Sequence, residues 1–329
     1  MSILRKISVS AALAAMLVCG ACSAKGNSSG ADTATVAEAP ASRGAAFSAD
    51  SAYAFVERQV AFGPRVPNTE AHRRAGDWLA SRLRESGASV TEQRMRLRAF
   101  DGTMLDARNI LGRYNPDSSE RVLLLAHWDC RPWADEDPDP ALRDKPVDGA
   151  NDGASGVGVL LEIARQLGLK APEKGVDILF VDAEDWGSAG DEESWALGAR
   201  YFVENPPEKG YSPRQIVLLD MVGGENALFH REYFSEVNAP GLNDALWHCA
   251  ARLGYGDRFI NRIGTAVTDD HTQFIAAGYP AIDIIEYYPG EGGSFNPRWH
   301  TSRDNMEGIS AATLGIVGTT VMTWLRENY

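Results

Sequence analysis

The chain of 329 residues carries 32 Lys and Arg against 45 Asp and Glu, a formal net charge of −13. That balance excludes a nucleic-acid surface, which needs clustered cations to displace counterions. Hydrophobic residues at 44% and charged residues at 23% exclude a disordered chain, and four cysteines are too few for a disulfide scaffold.

Arg5 and Lys6 precede an apolar run, Ile7 to Val18, that is too short to span a bilayer. The stretch Val18-Cys19-Gly20-Ala21-Cys22 resembles the lipobox of bacterial lipoproteins, with Cys19 where an aliphatic residue is usual. The resemblance implies a lipoprotein-type signal peptide over residues 1–21, cleavage before Cys22 and acylation of its thiol. The chain is then exported and held at the periplasmic face of a membrane through Cys22; secretion without a lipid is the alternative. Residues 22–47 read as a flexible tether, because Lys25 to Gly44 is rich in Ser, Ala, Gly and Thr. Residues 48–329 read as a single domain with no internal repeat and no further run long enough to cross a membrane. Within it, Cys130 and Cys249 either pair or stay separate as buried thiols.

The first helix starts near Phe47 with Ser48 as N-cap and Phe55, Val56 and Val60 on one face. Gly63-Pro64-Arg65-Val66-Pro67 breaks it. A second helix runs from about Thr69 to Ser86, with Ala75, Trp78, Leu79 and Leu83 inward and Gly87 closing it. Val122 to Leu125, Val176 to Val181 and Ile216 to Leu219 are short continuous apolar runs, the pattern of strands buried on both faces. Helical segments at Val157 to Leu167, Ala196 to Val203 and Leu242 to Leu253 separate or follow them. Pro280 to Ile285 supplies one more strand and Ala311 to Leu325 a closing helix. The expected architecture is α/β: a three-layer αβα sandwich around a mixed, mainly parallel sheet.

His127 and Asp129 follow the first apolar run, Glu184 and Asp185 the second, and Asp220 ends the third. The carboxyl edge of a parallel sheet is where ligands bind. Asp152, Asp269-Asp270-His271 and Trp299-His300 complete the candidates. Carboxylates mixed with imidazoles, without thiolates, suit a catalytic zinc with an open position. Without a cation, so many converging carboxylates would repel one another. No Gly-x-Ser-x-Gly elbow, no phosphate loop with Lys and no His-Glu-x-x-His helix is present.

Phe62-Gly63-Pro64-Arg65-Val66-Pro67, Ala126-His127-Trp128-Asp129, Gly149-Ala150-Asn151-Asp152, Asp182-Ala183-Glu184-Asp185 and Leu218-Leu219-Asp220 are similar, in order, to the zinc exopeptidase superfamily. That superfamily contains bacterial aminopeptidases and animal-type glutaminyl cyclases. Asp269-Asp270-His271, Phe295 and Trp299-His300-Thr301 with Asp304-Asn305 resemble the cyclases. The resemblance implies one zinc on Asp152, Asp185 and His300, with Glu184 as proton shuttle and Asp220 and Asp269 as a supporting hydrogen-bond network. It further implies an aromatic pocket from Trp299 and Phe295, and a reaction converting N-terminal glutamine of peptides and proteins into pyroglutamate and ammonia. In the alternative, a two-zinc aminopeptidase, His127 and Asp220 hold a second zinc with Asp152 bridging. The favoured role of His127 is a hydrogen-bonded structural one, and the chain is expected to work as a monomer.

Two departures stand out. Asp185 replaces the family's usual Glu, and Gly190 sits where animal cyclases place a pocket Trp, leaving Trp186 or Trp195 to fill that space. Asp270 and His271 belong either to the cyclase motif or to the cap of a helix beginning near Thr272. His72, His230 and His248 are read as non-catalytic. Asp135 to Asp144 is read as a solvated loop, with attraction of a cationic substrate terminus as the alternative.

Overall fold

The computed structural model describes residues 46–289 and 294–329. The expected signal peptide, Cys22 and nearly all of the tether lie outside the described residues. Two capped helices open the fold, α1 (Ala49–Val60) and α2 (Glu70–Glu85). Ser48 Oγ accepts from the Ser51 amide and Thr69 Oγ from the His72 amide, which satisfies amides at each start.

A hairpin follows, β1 (Ser89–Arg98) and β2 (Met104–Tyr114), then β3 (Arg121–His127), α3 (Ala154–Leu169) and β4 (Gly175–Val181). The second half runs α4 (Leu197–Glu204), β5 (Gln215–Asp220), β6 (Phe229–Arg231), α5 (Tyr233–Asn238), α6 (Pro240–Arg252), β7 (Phe259–Ile263), α7 (Asp270–Ala276), β8 (Ala281–Ile285) and α8 (Ala311–Asn328).

The main sheet has the order β1-β2-β4-β3-β5-β8, and β6 pairs with β7 in a small parallel sheet. Strands β4, β3, β5 and β8 are parallel, while β1 and β2 join antiparallel at one edge. The expected mixed, mainly parallel sheet is therefore present. The hairpin β1–β2 and the pair β6–β7 were not expected.

Strand side chains alternate between two apolar layers. On β3, Val122, Leu124 and Ala126 pack with Val56 of α1, Val157 of α3 and Val317 of α8. Leu123 and Leu125 face the other way, against Phe202 of α4 and Phe274 of α7. These are the three layers anticipated from the apolar runs. Cys130 and Cys249 are buried and unpaired, and no helix among the described residues is long and apolar enough to cross a membrane.

In strand order β3 lies between β4 and β5. The chain thus leaves β3 to one side and returns on the other, so the carboxyl ends of three adjacent strands border one crevice.

Candidate active site

Several of the polar candidates leave the end of a strand. His127 is the last residue of β3 and Asp220 the last of β5. Glu184 and Asp185 follow β4. Ala183, Met221 and His300 have left-handed φ values of 55°, 46° and 52°, turning the chain beside Glu184, beside Asp220 and at His300 itself. Non-glycine residues hold such angles only where their surroundings over-determine them.

Here the surroundings are buried clamps. Asp129 accepts from the amides of Glu184 and Asp185, each at 3.2 Å. Asp304 accepts from the amides of Asn151 and Asp152 at 2.7 and 3.1 Å. Arg65, fully buried, donates to the carbonyls of Trp128, Asp148 and Gly149. Gly153, with φ of 93°, has no room for a side chain: a Cβ there would stand 2.6 Å from the Asp129 carbonyl oxygen.

These clamps bring Asp152, Asp185 and His300 together, with one donor atom of each within 4.8 Å of the others. His300 Nε2 lies 3.2 Å from Asp185 Oδ1 and 3.6 Å from Asp152 Oδ2. Tetrahedral zinc with ligand bonds of about 2.0 Å separates its donors by about 3.3 Å. Both carboxylate oxygens of Asp185 are buried with no hydrogen-bond partner, a costly state for a charge unless a cation satisfies it. The donor set therefore fits zinc, and the shorter Asp185 reaches the cluster despite its missing methylene.

His127 stands at the other side of Asp152. Its Nε2 is 3.0 Å from Asp152 Oδ1 and 3.1 Å from Asp220 Oδ1, and these three also place donors within 4.8 Å of one another. Burial alone would push its imidazolium down, but Asp129, Asp152 and Asp220 hold it well above the usual range.

Glu184, Asp220, Asp269, Phe295 and Trp299 all line one cavity of about 360 Å³, together with Asp152 and His300. Burial raises the Glu184 carboxyl well above the usual range; His127 opposes this, while Asp269, Asp185 and Asp270 add to it. Asp269 is likewise pushed up, to about 7, by burial and by Asp220. The cavity wall is aromatic: Trp299 stacks on the His300 ring at 3.6 Å, Phe295 is tilted against Trp299 at 4.7 Å, and Tyr287 meets Phe295 edge-on at 4.9 Å.

Of the two tryptophans considered for the space beside Gly190, Trp195 lines the cavity and stacks on His300 at 6.0 Å. Trp186 pairs instead with Trp133 and donates to Asp101. The cap of α7 is Asp269, whose Oδ1 accepts from the Asp270 amide at 2.5 Å, rather than Asp270 or His271. Those two are buried behind the cavity, His271 within 3.1 Å of Glu232. His72 bonds Asp182 under the sheet edge and stacks on Trp128, a structural arrangement.

The segment Asp135 to Asp144 is not simply solvated. Asp135 is half-buried 3.4 Å from His300 Nδ1, and Asp137 accepts from the Ser302 amide and hydroxyl. The segment folds back on the turn carrying His300, which its Asp-Pro composition did not disclose.

The sequence model of peptidase family M28 matches residues 109–325. Among solved structures, Porphyromonas gingivalis glutaminyl cyclase is 53% identical with a TM-score of 0.84, covering 86% of this chain and 99% of its own. A Zn-dependent exopeptidase from Parabacteroides distasonis is 50% identical with a TM-score of 0.85, covering 87% of this chain and 100% of its own. The Bacillus subtilis aminopeptidase YwaD is 26% identical over 80% of this chain, and the chain spans 54% of the length of that curated relative.

Proposed function

The chain belongs to peptidase family M28, and we propose that within this family it is a zinc-dependent glutaminyl-peptide cyclotransferase. It converts the N-terminal glutamine of peptides and proteins into pyroglutamate with release of ammonia. What carries the reading is one juxtaposition: Glu184 in an aromatic-walled cavity beside the unsatisfied donors of Asp152, Asp185 and His300. The likeness to the Porphyromonas cyclase across nearly its whole chain supports it.

Asp152, Asp185 and His300 would hold the zinc, which would supply Lewis acidity toward the γ-carboxamide oxygen. Glu184 takes a proton from the substrate's α-amine as the amine nitrogen bonds to the carboxamide carbon, Cδ of the glutamine. It then returns a proton to the departing nitrogen as the carbon–nitrogen bond to the amide group breaks, so ammonia leaves neutral. A carboxyl raised above its usual range suits both halves of that transfer. Asp269 and Asp220 line the same cavity as Glu184 and form the polar surround of the reacting amine. Trp299 and Phe295 hold the glutamine side chain folded over its own amine, and orientation of this kind can supply about 7–11 kcal/mol. The same aromatic wall keeps water from the reacting carbon, which hydrolysis would otherwise claim.

One ion per chain belongs to this reading, in which His127 stays hydrogen-bonded between Asp152 and Asp220 and holds no metal. A two-zinc aminopeptidase is the second reading, favoured by the donor set of His127, Asp152 and Asp220. A Gln-initiated peptide separates them. Ammonia loss without chain shortening supports cyclisation, release of the first residue supports the aminopeptidase, and metal content of one or two per chain votes independently. The proposal extends to an exported monomer anchored through Cys22 at the periplasmic face. Cys22→Ser should move the protein from the membrane to the soluble fraction, and an unchanged distribution would remove the anchor.

A further inference from the structure

The segment following β3 holds a buried cation that the chemistry above does not use. Arg131 is 2% exposed and makes bonds in two directions. Nη1 donates at 2.9 Å to the carbonyls of both Asp185 and Gly187, and lies 3.8 Å from Asp185 Oδ1. Nε and Nη2 grip Asp135 as a fork, at 3.0 Å to Oδ1 and 2.7 Å to Oδ2. The guanidinium also lies over Trp133 and Trp195, 4.9 and 4.8 Å from the ring centres. Asp135 in turn stands 3.4 Å from His300 Nδ1, and the next amide, Glu136, donates to the His300 carbonyl at 3.1 Å.

Resting on the assignment of Asp185 and His300 as metal donors, we propose that Arg131 is a positioning residue that sets both of them at once. It fixes the backbone of Asp185 directly and the ring of His300 through Asp135. Neither oxygen of the Asp185 carboxylate has a hydrogen-bond partner, so the hold on its main chain bears directly on where it aims. His300 occupies a left-handed turn that does not fix its ring. A carboxylate on Nδ1 keeps the proton there and leaves the Nε2 lone pair for the metal, the arrangement by which outer groups orient histidine ligands. Only a planar fork with five donors spans two carbonyls and both oxygens of one carboxylate; a lysine ammonium keeps the charge and loses the span. Trp195 couples the same device to the substrate cavity, since it touches Arg131 and stacks on His300.

The test uses Arg131→Lys and Asp135→Asn in the full chain. Zinc affinity is measured by competition with a chromophoric chelator, and the visible absorption of the cobalt-substituted protein reports donor geometry. Both variants should bind zinc about 10–100-fold more weakly, with altered cobalt bands, and the double variant should lose no more than the worse single one. Asp135 is half-exposed, so its Asn variant decides alone if Arg131→Lys does not fold. Folded variants with wild-type zinc affinity and cobalt spectra would overturn the inference. A wild-type chain that binds no zinc would instead sink the metal assignment on which it rests.

Discussion

At the scale of single residues, Glu184 and Asp185 are neighbours with opposite duties, and their surroundings separate them. Asp185 brings Oδ1 within 3.2 Å of His300 in the donor cluster, whereas Glu184 lines the substrate cavity. Replacing Glu184 with Gln keeps the shape and removes the exchangeable proton. Turnover should fall by about 10²–10⁴-fold while zinc content stays at the wild-type ratio; wild-type rates would remove Glu184 from the chemistry. His300 belongs to the other duty. Burial would push its imidazolium down, yet Asp185, Asp135 and Asp152 raise it to about 9. Zinc must therefore displace a proton from His300 at neutral pH. Apparent zinc affinity should rise by about tenfold per pH unit from pH 6 toward 9, the slope of one released proton. A pH-independent affinity in that window would argue that His300 is not a ligand.

At the scale of elements, the site depends on how closely α3 lies against the sheet. Gly156, in the first turn of α3, would place a Cβ 2.0 Å from the Leu219 carbonyl oxygen on β5. Leu219 precedes Asp220, and α3 begins just after Asp152, so Gly156→Ala drives two site carboxylates apart. It should cost about 1–3 kcal/mol in denaturant unfolding and weaken substrate turnover; unchanged stability and activity would show that α3 has slack. The elements that carry the site were legible because β3, β4 and β5 are nearly continuous apolar runs buried on both faces. The hairpin was not. Ser89–Arg98 carries charges on the edge of the sheet and shows a largely exposed burial pattern, so no apolar run marks it. Among the donors, Asp185 was legible as an acid placed just past a strand end, and Asp152 and His300 by family resemblance. Their supports were not, because Asp135 reaches His300 across half of the chain and no local spacing encodes such a contact.

For the molecule as a whole, the concentration of acids at one sheet edge makes stability and metal binding inseparable. Burial, reinforced by like charges, raises Glu184, Asp270 and Asp283 well above the usual carboxyl range, and lifts Asp269 and Asp304 to about 7. Asp283 shows the reason plainly: it is fully buried and neither oxygen has a hydrogen-bond partner. A carboxyl raised in the fold keeps its proton there while the unfolded chain has lost it. Between about pH 4 and 7 the folded state therefore binds more protons, and unfolding free energy declines as pH rises. Asp152 and Glu232 are shifted the other way, Glu232 to about 2, and act only below the usual carboxyl range. They do not oppose the decline above pH 5. A divalent cation offsets the accumulated negative charge, and it binds the fold in preference to the unfolded chain. Zinc-free protein should thus melt at progressively lower temperature from pH 5 to 8, and the increase in Tm on adding zinc should widen over the same range. Thermal unfolding with and without a chelator measures both. A zinc-free Tm that climbs from pH 5 to 8, or a zinc increment that narrows, would mean that the buried acids are not held together by the ion.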